Sequence, residues 1–281
     1  MGTSTTNIGP NSKNPLIPSW LDSEGESLPQ NGNAGESGNQ QDDVTQENPK
    51  SPIQPQQGQR FRYPRAKINE YLRTGNSNSM KKGVSNYVKG SGGSKAALKR
   101  MGNAPVAAGN LASFLNGVSH NGLDVVAQEY SIQLRGDETA DELLLRVSDQ
   151  ICGETSGDLP DSVIRNAYTD TISEMLTTLG ITDLENTTSE QIQASLGCFV
   201  GKSVSYRIIN DICNNLVAHK ATPEKLSETI SELSGYIEGR AYDAVNDINA
   251  NGFDLTDQKL IECMENIYTD VFEILASVED E

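Results

Sequence analysis

Residues 188–216 read TSEQIQASLGCFVGKSVSYRIINDICNNL, and this stretch decides the fold. Ile192, Leu196, Val200, Val204, Ile208, Ile212 and Leu216 recur at four-residue steps, the spacing of one face of an α-helix. Thr188 followed by Gln191 has the spacing of a capping box, so the helix has a start as well as a stripe. At 1.5 Å per residue it would run roughly 40 Å.

The same periodicity extends in both directions. Downstream, Thr222-Pro223-Glu224 supplies an N-cap, a proline at the first helical position and an acid in the first turn. Leu226, Ile230, Leu233, Ile237, Ala241, Val245 and Ile248 follow as its stripe, and a last helix begins at Thr256 with Leu260, Met264, Ile267, Val271 and Leu275. Upstream, a helix over about 161–179 aligns Ile164, Tyr168, Ile172, Met175 and Leu179 before a stop at Gly180. Asp137 or Thr139 can cap a helix carrying Leu143, Leu144, Val147 and Ile151, and two further helices are expected from Pro105 to about Val118 and from Leu123 to Leu134. No alternating apolar run argues for a sheet. The expected fold is all-α: a helical bundle at the C-terminal end, with three long amphipathic helices packed antiparallel and shorter ones covering the remaining apolar faces.

Charge divides the chain more sharply than hydrophobicity. Residues 103–281, the acidic helical domain, carry nine Lys/Arg against thirty-one Asp/Glu; residues 60–102 carry eleven against Glu70 alone; residues 1–59 carry two against seven. The first 59 residues hold prolines at 10, 15, 18, 29, 49, 52 and 55 and almost no clustered aliphatics. Such a segment cannot bury enough surface to offset its ordering entropy and is expected to be a disordered arm. Residues 60–102 read as a basic, weakly structured connector, with a short helical turn at 68–72, a Gly/Ser hinge at 90–94 and a short basic helix at 95–101.

The connector mixes Arg60, Arg62, Arg65, Lys67, Arg73, Lys81 and Lys82 with Phe61, Tyr63, Tyr71 and Tyr87, and adds Lys99 and Arg100 near its end. This blend can neutralise phosphates and stack on bases, or it can lie on an acidic protein surface, this chain's own included. Gly90-Ser91-Gly92-Gly93-Ser94-Lys95 misses the G-x-x-x-x-G-K-[ST] spacing of a phosphate loop and follows no hydrophobic strand.

Signals for catalysis are absent from the pattern. The two histidines, His120 and His219, fall in a turn and at the end of the long helix, where an imidazolium would cap the helix dipole. Cys152, Cys198, Cys213 and Cys263 form no C-x-x-C pair and read as reduced core residues, so neither a catalytic nor a metal site is expected. Acids such as Asp211, Glu228 and Glu238 are placed between apolar stripes, on faces expected to meet solvent. With no signal peptide and no apolar run of membrane-spanning length, a cytoplasmic protein without a membrane partner is expected.

At the other end, removal of Met1 would leave Gly2 with an unobstructed α-amine, partly neutral near pH 7 and hence nucleophilic where lysine amines are protonated. The same letters fit the short N-myristoylation pattern. Trp20 is the only tryptophan in the chain, and suits either a partner anchor or a staple onto the helical domain.

Met1-Gly2-Thr3-Ser4, Gly9-Pro10, Asn14-Pro15-Leu16-Ile17-Pro18 and Ser19-Trp20-Leu21, with the later Arg62 to Ala66, Tyr87-Val88, Ser91-Gly92-Gly93, Ala96-Ala97 and Lys99-Arg100-Met101-Gly102, resemble the QatB family of the bacterial Qat anti-phage system. The resemblance implies neighbouring partners: a QatA-like ATPase, a QueC-like enzyme (QatC) and a TatD-like nuclease (QatD). Because QueC-like enzymes activate a deazaguanine carboxylate for attack by an amine, it further implies a noncatalytic adaptor whose Gly2 accepts a deazaguanine. Thr3, Ser4, Gly9, Pro10 and Trp20 would then be the docking peptide, no other cofactor being implied. The alternative function is a nucleic-acid-binding subunit using residues 60–102.

Overall fold

Thr188 and Gln191 exchange the two hydrogen bonds of a capping box: the Gln191 N–H donates to Thr188 Oγ1 at 3.2 Å, and the Thr188 N–H donates to Gln191 Oε1 at 3.0 Å. The helix they open spans Ser189–Cys213. In the computed structural model, which describes residues 60–153, 159–213, 222–248 and 257–277, every secondary-structure element is helical. In chain order these are α1 (Arg62–Thr74), α2 (Ser77–Ser91), α3 (Ser94–Arg100), α4 (Ala104–Asn121), α5 (Leu123–Glu129), α6 (Ala140–Arg146), α7 (Ser148–Cys152), α8 (Leu159–Thr177), α9 (Ser189–Cys213), α10 (Pro223–Ile248) and α11 (Asp257–Ser277). The all-helical bundle expected from the periodicity is present. No described helix is long and apolar enough to cross a membrane. The expected arm, residues 1–59, lies outside the described residues, as does His219.

Helix α9 is the spine. It packs on α10, α8 and α4, while α11 packs on α4, α3, α2 and α10. The expected stripe Ile192, Leu196, Val200, Val204, Ile208 and Ile212 is buried along α9's described length. Two glycines set how close α10 comes: a Cβ at Gly201 would stand 3.0 Å from the Glu238 Cα, and one at Gly197 would stand 3.0 Å from the Tyr242 ring. The terminal signals also hold. Thr222 Oγ1 accepts from the Lys225 N–H at 3.3 Å, and Thr139 and Glu142 form a second capping box.

Three boundaries differ from the expectation. His120, expected in a turn, lies in the last turn of α4, which runs to Asn121 before Gly122 ends it. The helix starting at Leu123 ends at Glu129 instead of reaching Leu134, because Ser131 turns the chain at a φ of 55°. Ile132 and Leu134 still pack against the core, so their apolar character serves a loop there. The single helix expected across 139–151 is two, α6 and α7, with Val147 at the junction.

The larger difference is the basic segment. Residues 60–102, expected as a weakly structured connector, form α1, α2 and α3, and their apolar residues join the same core cluster as those of α11. Pro64, Ile68 and Tyr71 line one face of α1; Met80, Val84, Tyr87 and Val88 line α2. Gly75, in the left-handed region at a φ of 69°, ends α1, and the Asn76 side chain accepts from the Asn78 N–H to start α2. The Gly92–Gly93 pair is a tight turn, not a hinge: both residues hold positive φ, and their N–H groups donate to Lys89 and Val88 carbonyls. The described residues all fall within one compact unit.

Candidate functional site

All three basic helices reach one residue of the acidic bundle, Asp211. Asp211, near the end of α9, accepts at Oδ2 from the Tyr87 hydroxyl of α2 at 2.8 Å, and from Arg100 of α3 through Nη2 at 2.6 Å and Nε at 3.2 Å. Arg207, one turn earlier on α9, places its Nε 3.3 Å from the same oxygen. From α1, Arg65 Nη2 donates to the Asp211 backbone carbonyl at 2.9 Å. Aromatic stacking closes the cluster: Phe61 lies 4.8 Å from Tyr87, centroid to centroid, and the Arg100 guanidinium sits 4.9 Å above the Phe61 ring.

Burial gives these contacts their weight. The Asp211 side chain is only 10% exposed, which corrects its sequence assignment to a solvent face. Burial opposes the Arg100 charge, but its bonds to Asp211 and Tyr87 outweigh that and hold its pKa above the ordinary arginine value. Desolvation, with the Asp211 charge beside it, pushes the Tyr87 hydroxyl up to about 12, so it remains a donor throughout the physiological range. Of the expected phosphate or acidic-partner contacts, Arg65 and Arg100 therefore grip this chain's own α9.

The remaining candidate cations are placed differently. Lys67 pairs with Glu70 at 2.7 Å, and its Nζ lies 5.8 Å from the Tyr63 ring centroid. Lys81 is half-buried on α2. Arg60, Arg62, Lys82 and Lys99 are exposed, and no ion pair or hydrogen bond holds their side chains among the described residues. Gly2, Thr3, Ser4, Gly9, Pro10 and Trp20 lie outside the described residues.

Elsewhere, polar and reactive groups serve packing. His120 bonds through Nδ1 with the Asn116 carbonyl one turn back on α4. Burial pushes the Cys152 and Cys213 thiols up to about 12 and Cys198 to about 11. Cys198 lines a groove of about 430 Å³ between α8, α9 and α10, with Glu174, Lys202, Glu238 and Tyr242 around it. Among the described residues, no group of three or more His, Cys, Asp or Glu side chains could hold a metal ion.

Sequence reasoning missed Arg207 and the role of Asp211. A signal existed: Arg207 and Asp211 stand four apart on α9, the spacing of an ion pair, on a flank of the apolar stripe. Nothing local could have matched them with Arg100, more than one hundred residues away.

The family model described as "Qat anti-phage system associated protein QatB" matches residues 92–275, which is more than half of the chain and runs from the α2–α3 turn into α11. No curated protein and no solved structure matches.

Proposed function

The chain belongs to the QatB family of the Qat anti-phage system, and from that premise we propose that it acts in the cytoplasm as a noncatalytic adaptor and substrate subunit of a multiprotein defence complex. The match over residues 92–275 is the observation that carries this reading. The helical body serves as the docking unit for a QatA-like ATPase, a QueC-like QatC and a TatD-like QatD. The N-terminal peptide serves as the substrate.

In this reading, Gly2 enters the QueC-like enzyme after Met1 is removed. Its neutral amine attacks the activated carboxyl carbon of a deazaguanine, an amide bond forms, the activating group leaves, and the proton passes to solvent. An α-amine suits this step because its pKa, about 7.7 to 8.0, leaves part of it unprotonated at neutral pH. Thr3, Ser4, Gly9, Pro10 and Trp20 would seat the peptide, with Trp20 as the aromatic anchor.

A Gly2→Pro substitution tests the reading in cells carrying the whole system, because a secondary amine in a ring is a poor acceptor and cannot form the same secondary amide. Loss of phage resistance at normal protein level is expected. Full resistance with this variant would contradict the substrate role.

A further inference from the structure

We infer that the outer face of α1, with Arg62 and Arg73 along it, Arg60 just before its first turn and Tyr63 beside it, binds single-stranded nucleic acid. This goes beyond the Gly2 reading and stands independently of it. The structure separates the basic segment into two groups: Arg65 and Arg100 are engaged by Asp211, and Lys67 by Glu70, whereas Arg60, Arg62 and Lys82 face solvent without ion pairs among the described residues.

Helical geometry lines up the exposed group. At 100° per residue, Arg62, Ala66, Asn69 and Arg73 share one stripe of α1, all exposed, while Pro64, Ile68 and Tyr71 face inward. Arg62 and Arg73 are about 16 Å apart along the axis at 1.5 Å per residue. Gly83 lets α2 settle onto Ile68 and the Pro64 carbonyl, on the side of α1 away from the exposed stripe.

Tyr63 decides the chemistry of the occupant. Its ring is 55% exposed, the most exposed large hydrophobic side chain among the described residues, with Arg62 next in sequence and Lys67 over the ring. The cations alone would suit an acidic protein as well; the exposed ring beside them is what a stacked base adds. A single strand uses both, with phosphates on the arginines and an unpaired base on the ring, whereas a duplex keeps its bases stacked inside. The acids of residues 103–281 weaken long-range attraction, but a screening length of about 8 Å at physiological salt leaves contact-range cations effective.

The test is fluorescence polarisation of the full chain with labelled oligo-dT and oligo-rU of about 20 nucleotides, a duplex of the same length and labelled polyglutamate, from about 50 to 200 mM salt. We expect single-strand binding with a log–log salt slope between about −2 and −3, from three to four neutralised phosphates at about −0.7 each. The DNA and RNA arms show which source is preferred, and tighter binding of either supports the inference. Arg60→Glu with Arg62→Glu should weaken binding at least about tenfold and flatten the slope. Tyr63→Ala should weaken it about fivefold with the slope kept, and Lys225→Glu on α10 should change nothing. No binding at the lowest salt, a duplex or polyglutamate bound as tightly as the single strands, or indifference to Tyr63→Ala overturns the inference.

Discussion

Asp211 gathers a hydroxyl and two guanidinium groups on one carboxylate oxygen, and each comes to it from a position its own helix fixes. Replacing it with Asn removes the charge while leaving Arg100 and Arg207 in place. Breaking such a pair strands the surviving charge, so Asp211→Asn should lower unfolding stability by about 2 to 4 kcal/mol in urea. Asp211→Leu combined with Arg100→Leu should cost less than the sum of the two single changes, as expected where one removed charge relieves the other. A change within about 0.5 kcal/mol for Asp211→Asn would show that the clasp contributes little. Buried thiols and Tyr87 set the alkaline limit. Their folded pKa values, about 12 for Cys152, Cys213 and Tyr87 and about 11 for Cys198, exceed unfolded values near ~8.5 for Cys and ~10 for Tyr. The unfolded state then binds fewer protons at high pH, so this stability is whole below the unfolded values and is lost as pH rises through the folded ones. Thermal melts should therefore be flat from about pH 7 to 8 and fall steadily above about pH 9. A melting temperature unchanged up to about pH 10.5 would contradict the burial of these groups.

Among the elements, α9 and α10 approach as closely as they do because Gly201 has no side chain. Gly201→Val would drive a β-branched side chain into the Glu238 backbone and should destabilise by about 1 to 3 kcal/mol. Gly235, on α10 itself, has nothing within 4 Å of an added Cβ. Gly235→Ala should therefore stabilise by about 0.5 to 1 kcal/mol, through backbone entropy and helix propensity alone. Paired urea titrations distinguish the two, and equal effects would remove close approach as the explanation. Long stripes such as that of α9 were legible because a repeat at four-residue steps over six turns has no competing strand pattern. The short helices were harder to read. α1 and α2 each carry few apolar residues among Asn, Ser, Lys and Arg, and their spacing at Pro64, Ile68 and Tyr71, or Met80, Val84, Tyr87 and Val88, becomes persuasive only once a partner surface is known.

Across the whole molecule, the abrupt change of charge at residue 60 marks neither a tether nor a separate domain. Its basic helices are folded into the bundle, with two arginines turned inward to Asp211 and Arg62 and Arg73 left exposed on the outer stripe of α1. The two uses were inseparable in the sequence, since Arg62 and Arg65 differ only by which side of α1 they occupy. Residue identity could suggest an ion-pairing or phosphate role, but only packing could divide the cations between them. The family match places the chain in the Qat anti-phage system, and the proposed reading of Gly2 as a substrate residue makes a single strong demand. Co-expression with an active QueC-like partner, followed by intact mass and N-terminal peptide mapping, should show one deazaguanine added as an amide on the peptide beginning at Gly2, and no addition when the partner is inactivated. An N-terminal peptide of unmodified mass after co-expression with the active enzyme would contradict the account.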